Sequence, residues 1–299
     1  MNPSIRILEI LAPGPFSTVQ DLGRPGLAAL GIGRSGAADR PSLQLANALV
    51  GNDPSAAGIE MTFGRLRVRF RQDALIALTG ALCPLQIDMA HAEMDTPLPV
   101  SAGQTLKIGS PTTGLRSYLA VRGGIDVPTV LGSRATDTLS GIGPSILTAG
   151  ALLPMGALLL DPGPVGSVPA SAGSTSSGTG PLSMTRGPRA DWFTEQALEL
   201  LTDATWKVTT DADRVGVRLV GPVLQRAATR ELPSEPMVAG ALQVPPAGQP
   251  IVFLTDHPVT GGYPVIAVLT SGGIARAAQL RPGQPVDFRW EVDELEPGR

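Results

Sequence analysis

The amino-acid sequence predicts a mainly β protein with few short helices. Glycine and proline are frequent, at 36 and 29 of the 299 residues, and so many turn-forming residues are typical of short strands joined by tight turns. Several apolar runs alternate with polar residues, as in RVRF and VRLV, which favours antiparallel strands that expose one face. Together these observations predict β-barrel-like domains.

Strand-like apolar runs occur along the whole chain. They are Leu66–Phe70, Leu75–Leu78, Leu115–Val121, Trp206–Thr209, Val215–Val220, Ile251–Leu254, Val265–Leu269 and Val286–Trp290. Only two helices are expected. Asp39 can cap a helix over Pro41–Val50, since proline is favoured in a first turn and Gly51 can end the last one. The second is expected within Asp191–Thr202, where the apolar residues share one face.

A segment poor in core-forming residues divides the chain. Asp161–Gly180 reads DPGPVGSVPASAGSTSSGTG, a composition typical of a flexible linker or a long loop. We therefore predict a first domain over residues 1–160 and a second domain over residues 181–299.

The two halves share a loose order of motifs, as a tandem duplication would leave it. The matched positions are Asp21 with Asp211, Arg24 with Arg214, Gly26 with Gly216, Glu60 with Gln243, and Gly103 with Gly283. The first three pairs share the spacing D-x-x-R-x-G, and the last pair begins GQTL and GQPV. This order predicts two domains of similar topology.

Net charge and rare residues exclude several classes of function. A net charge of -3 gives no electrostatic basis for binding nucleic acid or an anionic membrane. The single cysteine, Cys83, lies in an apolar run and is expected to be buried. The two histidines, His91 and His257, stand far apart, so no metal site is expected. Neither lysine, Lys107 or Lys207, follows a glycine, so arginine, backbone N–H groups or a helix N-terminus must hold any phosphate or carboxylate.

The sequence favours a soluble, cytoplasmic protein. Its first residues, MNPSIRILEI, do not have the basic and apolar parts of a signal peptide. The stretch Thr138–Leu160 carries no charge, but its prolines and glycines favour strands and turns over a membrane helix.

Two motifs admit both a functional and a structural interpretation. GIGRSG, Gly31–Gly36, matches the dinucleotide fingerprint, but only LAAL precedes it as a strand, so a turn entering a helix is favoured. TDHPVTGGYP is either a polar hairpin with glycines at its tip or a reactive site. It follows the apolar run IVFL and contains Asp256, His257 and Tyr263 beside Gly261–Gly262. A carboxylate can fix the tautomer of a histidine, a tyrosine hydroxyl can donate to a carbonyl oxygen, and glycines permit close approach of a ligand.

Three stretches carry a family resemblance. The first runs from STVQDLGRPG at Ser17 through SGAADRPSLQLANALVGN to AGIEMTFG at Ala57. The second is VRGGIDVPTVLGSRATD from Val121, and the third is ALQVPPAGQPIVFLTDHPVTGGYP from Ala241. Together they resemble the allophanate hydrolase subunit 2 family, which includes the C subunit of 5-oxoprolinase and the carboxyltransferase part of urea carboxylases.

The resemblance implies tandem cyclophilin-like β-barrels and a role inside a larger complex. Members work with an allophanate hydrolase subunit 1-type protein, which in the 5-oxoprolinase branch is the B subunit. There an A subunit joins as well, and ATP, bound somewhere in the complex, drives opening of 5-oxoproline to glutamate. Two alternatives stay open: a carboxyltransferase-type subunit that uses biotin, as in urea carboxylase, and a regulatory protein that binds a kinase inhibitor.

Candidate site residues follow from the motifs and the resemblance. Asp256 and His257 are expected to orient a water or move protons, and Tyr263 to hydrogen-bond the substrate. Residues expected to bind substrate or phosphate are Arg24, Arg122, Arg214, Glu60, Gln243, Gly261 and Gly262. Secondary candidates are Asp21, Ser35, Asp39 and Glu235.

Overall fold

The computed structural model describes residues 6–157, 180–228 and 230–291. This part of the chain is mainly β, as predicted, and contains three α-helices. The chain divides into two compact units, Met1–Gly178 (unit 1) and Thr179–Arg299 (unit 2). The division lies in the segment predicted as a linker, which apart from Gly180 falls outside the described residues.

Unit 1 contains two antiparallel sheets. Its strands are β1 (Arg6–Ala12), β2 (Phe16–Gln20), β3 (Gly58–Thr62), β4 (Arg67–Phe70), β5 (Ala74–Leu82), β6 (Leu85–Ile87), β7 (Ala90–Ala92), β8 (Leu98–Val100), β9 (Thr105–Ile108), β10 (Thr113–Val121) and β11 (Leu152–Met155). One sheet has the order β11-β1-β4-β9-β6-β7 and the other β2-β3-β10-β5-β8. In RVRF of β4 the arginines are exposed and the apolar residues buried, as alternation predicts.

Apolar side chains from both sheets form the core of unit 1. Leu8 and Phe70 come from the first sheet, Ile59 and Leu119 from the second, and all four are fully buried. Cys83 joins the same cluster, which confirms its predicted burial. Removal of this apolar surface from water is the main favourable contribution to folding of the unit.

Helix α1 (Arg40–Leu49) packs on the second sheet of unit 1, where Leu45 and Leu49 meet residues of β5 and β10. The side chain of Asp39 caps the helix by accepting from the backbone N–H of Ser42, as predicted. Only a short 3-10 helix, Ala28–Leu30, lies between β2 and the GIGRSG segment. No strand leads directly into GIGRSG in this part of the chain, so the strand that a dinucleotide fingerprint requires is missing here.

Unit 2 is built on an eight-stranded sheet. Its strands are β12 (Leu182–Arg186), β13 (Trp206–Ala212), β14 (Gly216–Val220), β15 (Glu235–Pro236), β16 (Ala241–Gln243), β17 (Ile251–Phe253), β18 (Thr260–Gly261), β19 (Val265–Leu269), β20 (Pro285–Val286) and β21 (Phe288–Trp290). The order is β20-β13-β14-β17-β16-β19-β12-β21, and β15 and β18 form a separate pair. The two edge strands are separated by a single residue, so the sheet nearly closes into a barrel.

Two helices belong to unit 2. Helix α2 (Glu195–Asp203) begins after the capping residue Thr194, inside the range predicted, and packs near the fully buried Trp206. Helix α3 (Ser271–Ala277) was not predicted, because its Ser-Gly-Gly start has poor intrinsic helix propensity. Thr270 caps it and its buried alanines pack into the core, so tertiary packing overrides propensity.

The uncharged stretch that begins at Thr138 forms turns and β11 as far as residue 157, the last that the structure describes there. Among the described residues no helix has the length and apolar character needed to cross a bilayer.

The predicted repeat is visible at one motif and not at another. Gly103 and Gly283 both have positive φ, and each precedes a glutamine whose Oε1 accepts from the backbone N–H three residues earlier. The D-x-x-R-x-G segments differ: Arg24 lies in the loop after β2, whereas Arg214 lies in the turn between the paired strands β13 and β14.

Candidate functional site

An open cavity of about 610 Å³ lies in unit 2. This volume is within the range of small-molecule sites, roughly 300–1,000 Å³. The polar groups of its lining belong to Gln225, Arg226, Arg230, Glu231, Gly262 and Tyr263. Valine, leucine, alanine and proline side chains form the rest of the wall.

Two arginines of this cavity are fixed by uncharged groups. Arg226 donates through Nη2 to the carbonyl of Val244, and its Nε is buried without a hydrogen-bond partner in the described part of the chain. Burial lowers the pKa of the Arg226 guanidinium. The guanidinium carbon of Arg230 lies 4.9 Å from the centre of the Trp192 ring, a cation–π contact. The structure shows no ion pair of either arginine with a described carboxylate.

Tyr263 and Gly262 are the predicted residues that reach the cavity. Tyr263 is 45% exposed, so its ring and hydroxyl are accessible. Gly261 serves a different purpose: a Cβ there would lie 2.6 Å from Nε2 of Gln243, which in turn donates to the Tyr263 carbonyl at 2.8 Å. Gly261 belongs to β18 and pairs with Glu235 of β15, so the glycine pair is not a hairpin tip.

Asp256 and Arg214 form a buried bidentate ion pair. The Asp256 oxygens accept from Nε and Nη2 of Arg214 at 2.9 and 3.0 Å. Asp256 was predicted to act on a water or a proton, and Arg214 to hold substrate. Their mutual pairing inside unit 2 is a structural contact, and the predicted site roles of both residues stay predictions.

His257 is half-buried at the end of the same segment. Its Nδ1 lies 2.8 Å from the carbonyl oxygen of Pro258. Because a carbonyl oxygen can only accept, Nδ1 carries the proton of this hydrogen bond, and Nε2 of the neutral ring is left with its lone pair. His257 therefore keeps the chemistry of a proton acceptor, although neither it nor Asp256 lines the cavity that Tyr263 borders.

In unit 1, Arg24 is buried with only one hydrogen bond from its guanidinium. Its Nη2 donates to the carbonyl of Ala135, while Nε and Nη1 have no partner among the described residues. Two neutral atoms near the same backbone, Gln20 Oε1 and Thr136 Oγ1, are also buried without partners. Ser35 Oγ donates to the Thr136 carbonyl at 3.2 Å, so this candidate lies beside them.

Glu60 is part of a buried hydrogen-bond network. Its Oε2 accepts from the backbone N–H of Ala38 and from the Tyr118 hydroxyl, both at 2.9 Å, and its Oε1 lies 3.7 Å from Arg116 Nε. Burial, reinforced by the Glu60 carboxylate, raises the pKa of the Tyr118 hydroxyl well above its usual value. The Tyr118 oxygen also accepts from Asp39 N, so the network fixes the start of α1.

The remaining candidates have local roles. Asp21 accepts from Gly23 N and Ser133 Oγ at 2.7 Å and from Arg134 N at 2.6 Å, and so joins two loops. Arg122 is half-buried, and its Nη2 has no hydrogen-bond partner among the described residues. Glu235 forms an ion pair with Arg189 at the surface of unit 2.

Sequence reasoning missed Arg226 and Arg230. They occur in GPVLQRAATR, which has no motif and lies largely outside regular secondary structure. The only signal was a pair of arginines in the loop that follows an apolar strand, with one carboxylate, Glu231, next to Arg230. Among the described residues, no three His, Cys, Asp or Glu side chains are grouped to hold a metal ion. The arrangement is suited to binding an anion next to an aromatic hydroxyl.

Known proteins match nearly the whole chain. The family described as Carboxyltransferase domain, subdomain A and B, matches residues 30–290. The C subunit of 5-oxoprolinase from Escherichia coli (strain K12) is 40% identical over 285 residues, which are 94% of this chain and 90% of that protein. The urea amidolyase of Lachancea kluyveri is 32% identical over 304 residues, which are 94% of this chain and 17% of that protein.

A solved structure shares the fold as well. The crystal structure of the K. lactis urea amidolyase matches with a TM-score of 0.89 at 29% identity, over 96% of this chain and 19% of that one. Sequence and structure together confirm the resemblance inferred from the three motif-bearing stretches.

Proposed function

Because the chain belongs to the carboxyltransferase domain family, subdomains A and B, we propose that it is the C subunit of an ATP-dependent 5-oxoprolinase. The complex opens the lactam of 5-oxo-L-proline to L-glutamate while ATP is hydrolysed. Its other members are an allophanate hydrolase subunit 1-type protein, equivalent to the B subunit, and an A subunit.

The match to a protein named as the C subunit of 5-oxoprolinase carries the proposal. That relative is aligned over 90% of its own length at 40% identity. A second C subunit of 5-oxoprolinase, from Haemophilus influenzae, is 30% identical and also 90% covered. Urea amidolyase, at 32% identity, is the source of the alternative function, but this chain spans only 17% of it.

The reaction explains why ATP and cationic groups are needed. A lactam carbonyl is a poor electrophile, and transfer of the terminal phosphoryl group of ATP to its oxygen creates a leaving group. A first water adds to the carbonyl carbon, the ring C–N bond breaks and the nitrogen takes a proton, which leaves an acyl phosphate. A second water then adds to the same carbon, and phosphate leaves with the former carbonyl oxygen. Charge on the oxygens must be stabilised throughout. Both lysines lie on strands and point to solvent, so arginine supplies that charge in this chain.

His257 is the candidate for proton movement. The hydrogen bond of Nδ1 to the Pro258 carbonyl fixes the ring and leaves Nε2 as the acceptor. A histidine in this state can take a proton from the attacking water. Asp256, held by Arg214, directly precedes His257 and so helps to fix the backbone at that position.

Reconstitution tests the proposal. The purified chain, the A and B subunits, and all three proteins together are each assayed for 5-oxoproline-dependent release of phosphate and glutamate. We expect activity only from the complete set. His257→Ala should lower kcat by about 10²-fold, the usual scale for a positioned acid or base.

His91→Ala is the matched control, because His91 is the other histidine and is exposed in β7 of unit 1. It should keep wild-type turnover. If the assembled complex consumes ATP in the presence of urea but not of 5-oxoproline, the proposal is contradicted and the carboxyltransferase alternative is favoured.

A further inference from the structure

The cavity of about 610 Å³ that Tyr263 borders holds two arginines whose positions are set without a counter-charge from the described residues. Arg226 is anchored through Nη2 to a backbone carbonyl, and Arg230 is anchored over the Trp192 ring. Glu231 also lines the cavity, but the structure shows no ion pair between it and either arginine. Guanidinium groups that are held in place at a concave surface are pre-organised for a charged ligand.

We propose that this cavity is an oxyanion site, in which Arg226 and Arg230 bind the carboxylate or phosphate group of a small ligand beside the ring and hydroxyl of Tyr263. The planar guanidinium offers paired N–H donors that match carboxylate and phosphate oxygens. The Nε–H of Arg226 is buried and no described residue accepts it, so no described carboxylate neutralises that edge of the guanidinium.

The size and lining of the cavity limit the ligand further. About 610 Å³ exceeds the space that a bare anion needs, and apolar side chains form much of the wall. The ligand therefore carries an organic part as well as its anionic group. Tyr263, which is largely accessible, can contact that part with its ring or donate to it with its hydroxyl.

The choice of ligands to test rests on the proposed function. That reaction involves two kinds of oxyanion, a carboxylate and a phosphate. The carboxylate is that of 5-oxoproline or of its product L-glutamate. The phosphate is that of ATP, ADP or the inorganic ion. Either source satisfies the same two guanidinium groups, so the ligands are tested as separate arms.

Direct binding is measured first. The purified chain and the reconstituted complex are titrated calorimetrically with 5-oxoproline, L-glutamate, ATP, ADP and inorganic phosphate at constant ionic strength. The wild-type protein should bind either the carboxylate ligands or the phosphate ligands. Arg230→Gln should raise the Kd of the ligands that bind by about 10- to 100-fold, as expected for loss of a charge-assisted contact. Arg226→Gln should act in the same direction, and Tyr263→Phe should have a smaller effect on the same ligand.

Two features keep the test decisive. Arg230 is exposed, so its glutamine variant should fold even if replacement of the partly buried Arg226 does not. Arg218→Gln is the matched control, because Arg218 is an exposed arginine of β14 that does not line this cavity. In steady-state assays Arg230→Gln should raise the KM of the same ligand, whereas Arg218→Gln should not change it.

Failure of this inference is distinguishable from failure of the proposed function. The proposed oxyanion site is contradicted, even in an active 5-oxoprolinase, if the chain and the complex bind neither the carboxylate nor the phosphate ligands. It is also contradicted if both arginine variants bind these ligands like wild type. If binding depends on the arginines but the complex does not turn over 5-oxoproline, the site stands and the proposed function falls.

Discussion

Arg24 of unit 1 and Arg214 of unit 2 have the same sequence context and opposite surroundings. Both follow the pattern D-x-x-R-x-G, and both are 2% exposed. Arg214 gives two N–H groups to the carboxylate of Asp256. Arg24 donates from one guanidinium nitrogen to a neutral backbone carbonyl, and its other two guanidinium nitrogens have no partner among the described residues.

The aspartates of the two motifs differ as well. Asp21 is buried and joins two loops through three hydrogen bonds. Asp211 is exposed at the end of β13. A shared spacing thus fixes which residues are neighbours along the chain, but the partner of a buried charge comes from elsewhere in the fold. For Arg214 that partner is 42 residues away in sequence.

The largest expected loss of stability comes from removing the buried ion pair between Arg214 and Asp256. Asp256→Asn keeps the shape of the side chain and removes the charge that balances Arg214. Because the buried Arg214 guanidinium loses the carboxylate charge with which it is paired, the free energy of unfolding should fall by about 3–5 kcal/mol. Urea denaturation of the purified chain measures the change.

Asp211→Asn is the matched control for that measurement. It changes the aspartate of the same motif at an exposed position, so the stability should stay within about 0.5 kcal/mol of wild type. Equal losses in the two variants would show that burial of the Arg214–Asp256 pair does not matter for stability.

A smaller effect is expected from Arg24→Met. The substitution removes a buried charge that has no described counter-ion and loses one hydrogen bond, so the two changes offset each other and the net change should stay within about 1 kcal/mol. Arg214→Met, in contrast, removes the guanidinium that is paired with the buried Asp256 carboxylate and should cost about 3–5 kcal/mol. Denaturation curves for the two variants compare them directly. If Arg24→Met is as costly as Arg214→Met, then Arg24 has a charged partner in solution.

The contrast shows what the sequence can predict. The β class followed from turn residues and alternation, and α1 from its cap at Asp39, because these signals are local. Helix α3 was missed because packing overrides the low propensity of its two glycines.

The sequence does not show which of the candidate site residues contact one another in the fold. Asp256 and Tyr263 are seven positions apart in one motif, yet one is buried against Arg214 and the other borders the open cavity. Arg226 and Arg230 had no motif at all, and only the folded surface shows that they share a cavity. Electrostatic partners are set by tertiary structure, and spacing along the chain does not encode them.

The smallest effect concerns an arginine–carboxylate pair that water can reach. Arg189 binds Glu235 through both Nε and Nη2, as Arg214 binds Asp256, but both side chains are partly exposed. The hydrogen bonds from Arg189 lower the pKa of Glu235 below its usual value of 4.5.

A carboxyl group with a lowered folded-state pKa contributes stability that is fully present above its unfolded pKa and is lost as the pH falls through the folded value. We therefore expect the contribution to disappear only below about pH 4.5, and to be much smaller than that of the buried pair at neutral pH because solvent screens it. Carbon-13 NMR titration of the Glu235 carboxyl in wild type and in Arg189→Gln measures the shift. In the variant, Glu235 should titrate near the usual pKa of a glutamate. If Glu235 already titrates there in wild type, the pair with Arg189 is not formed in solution.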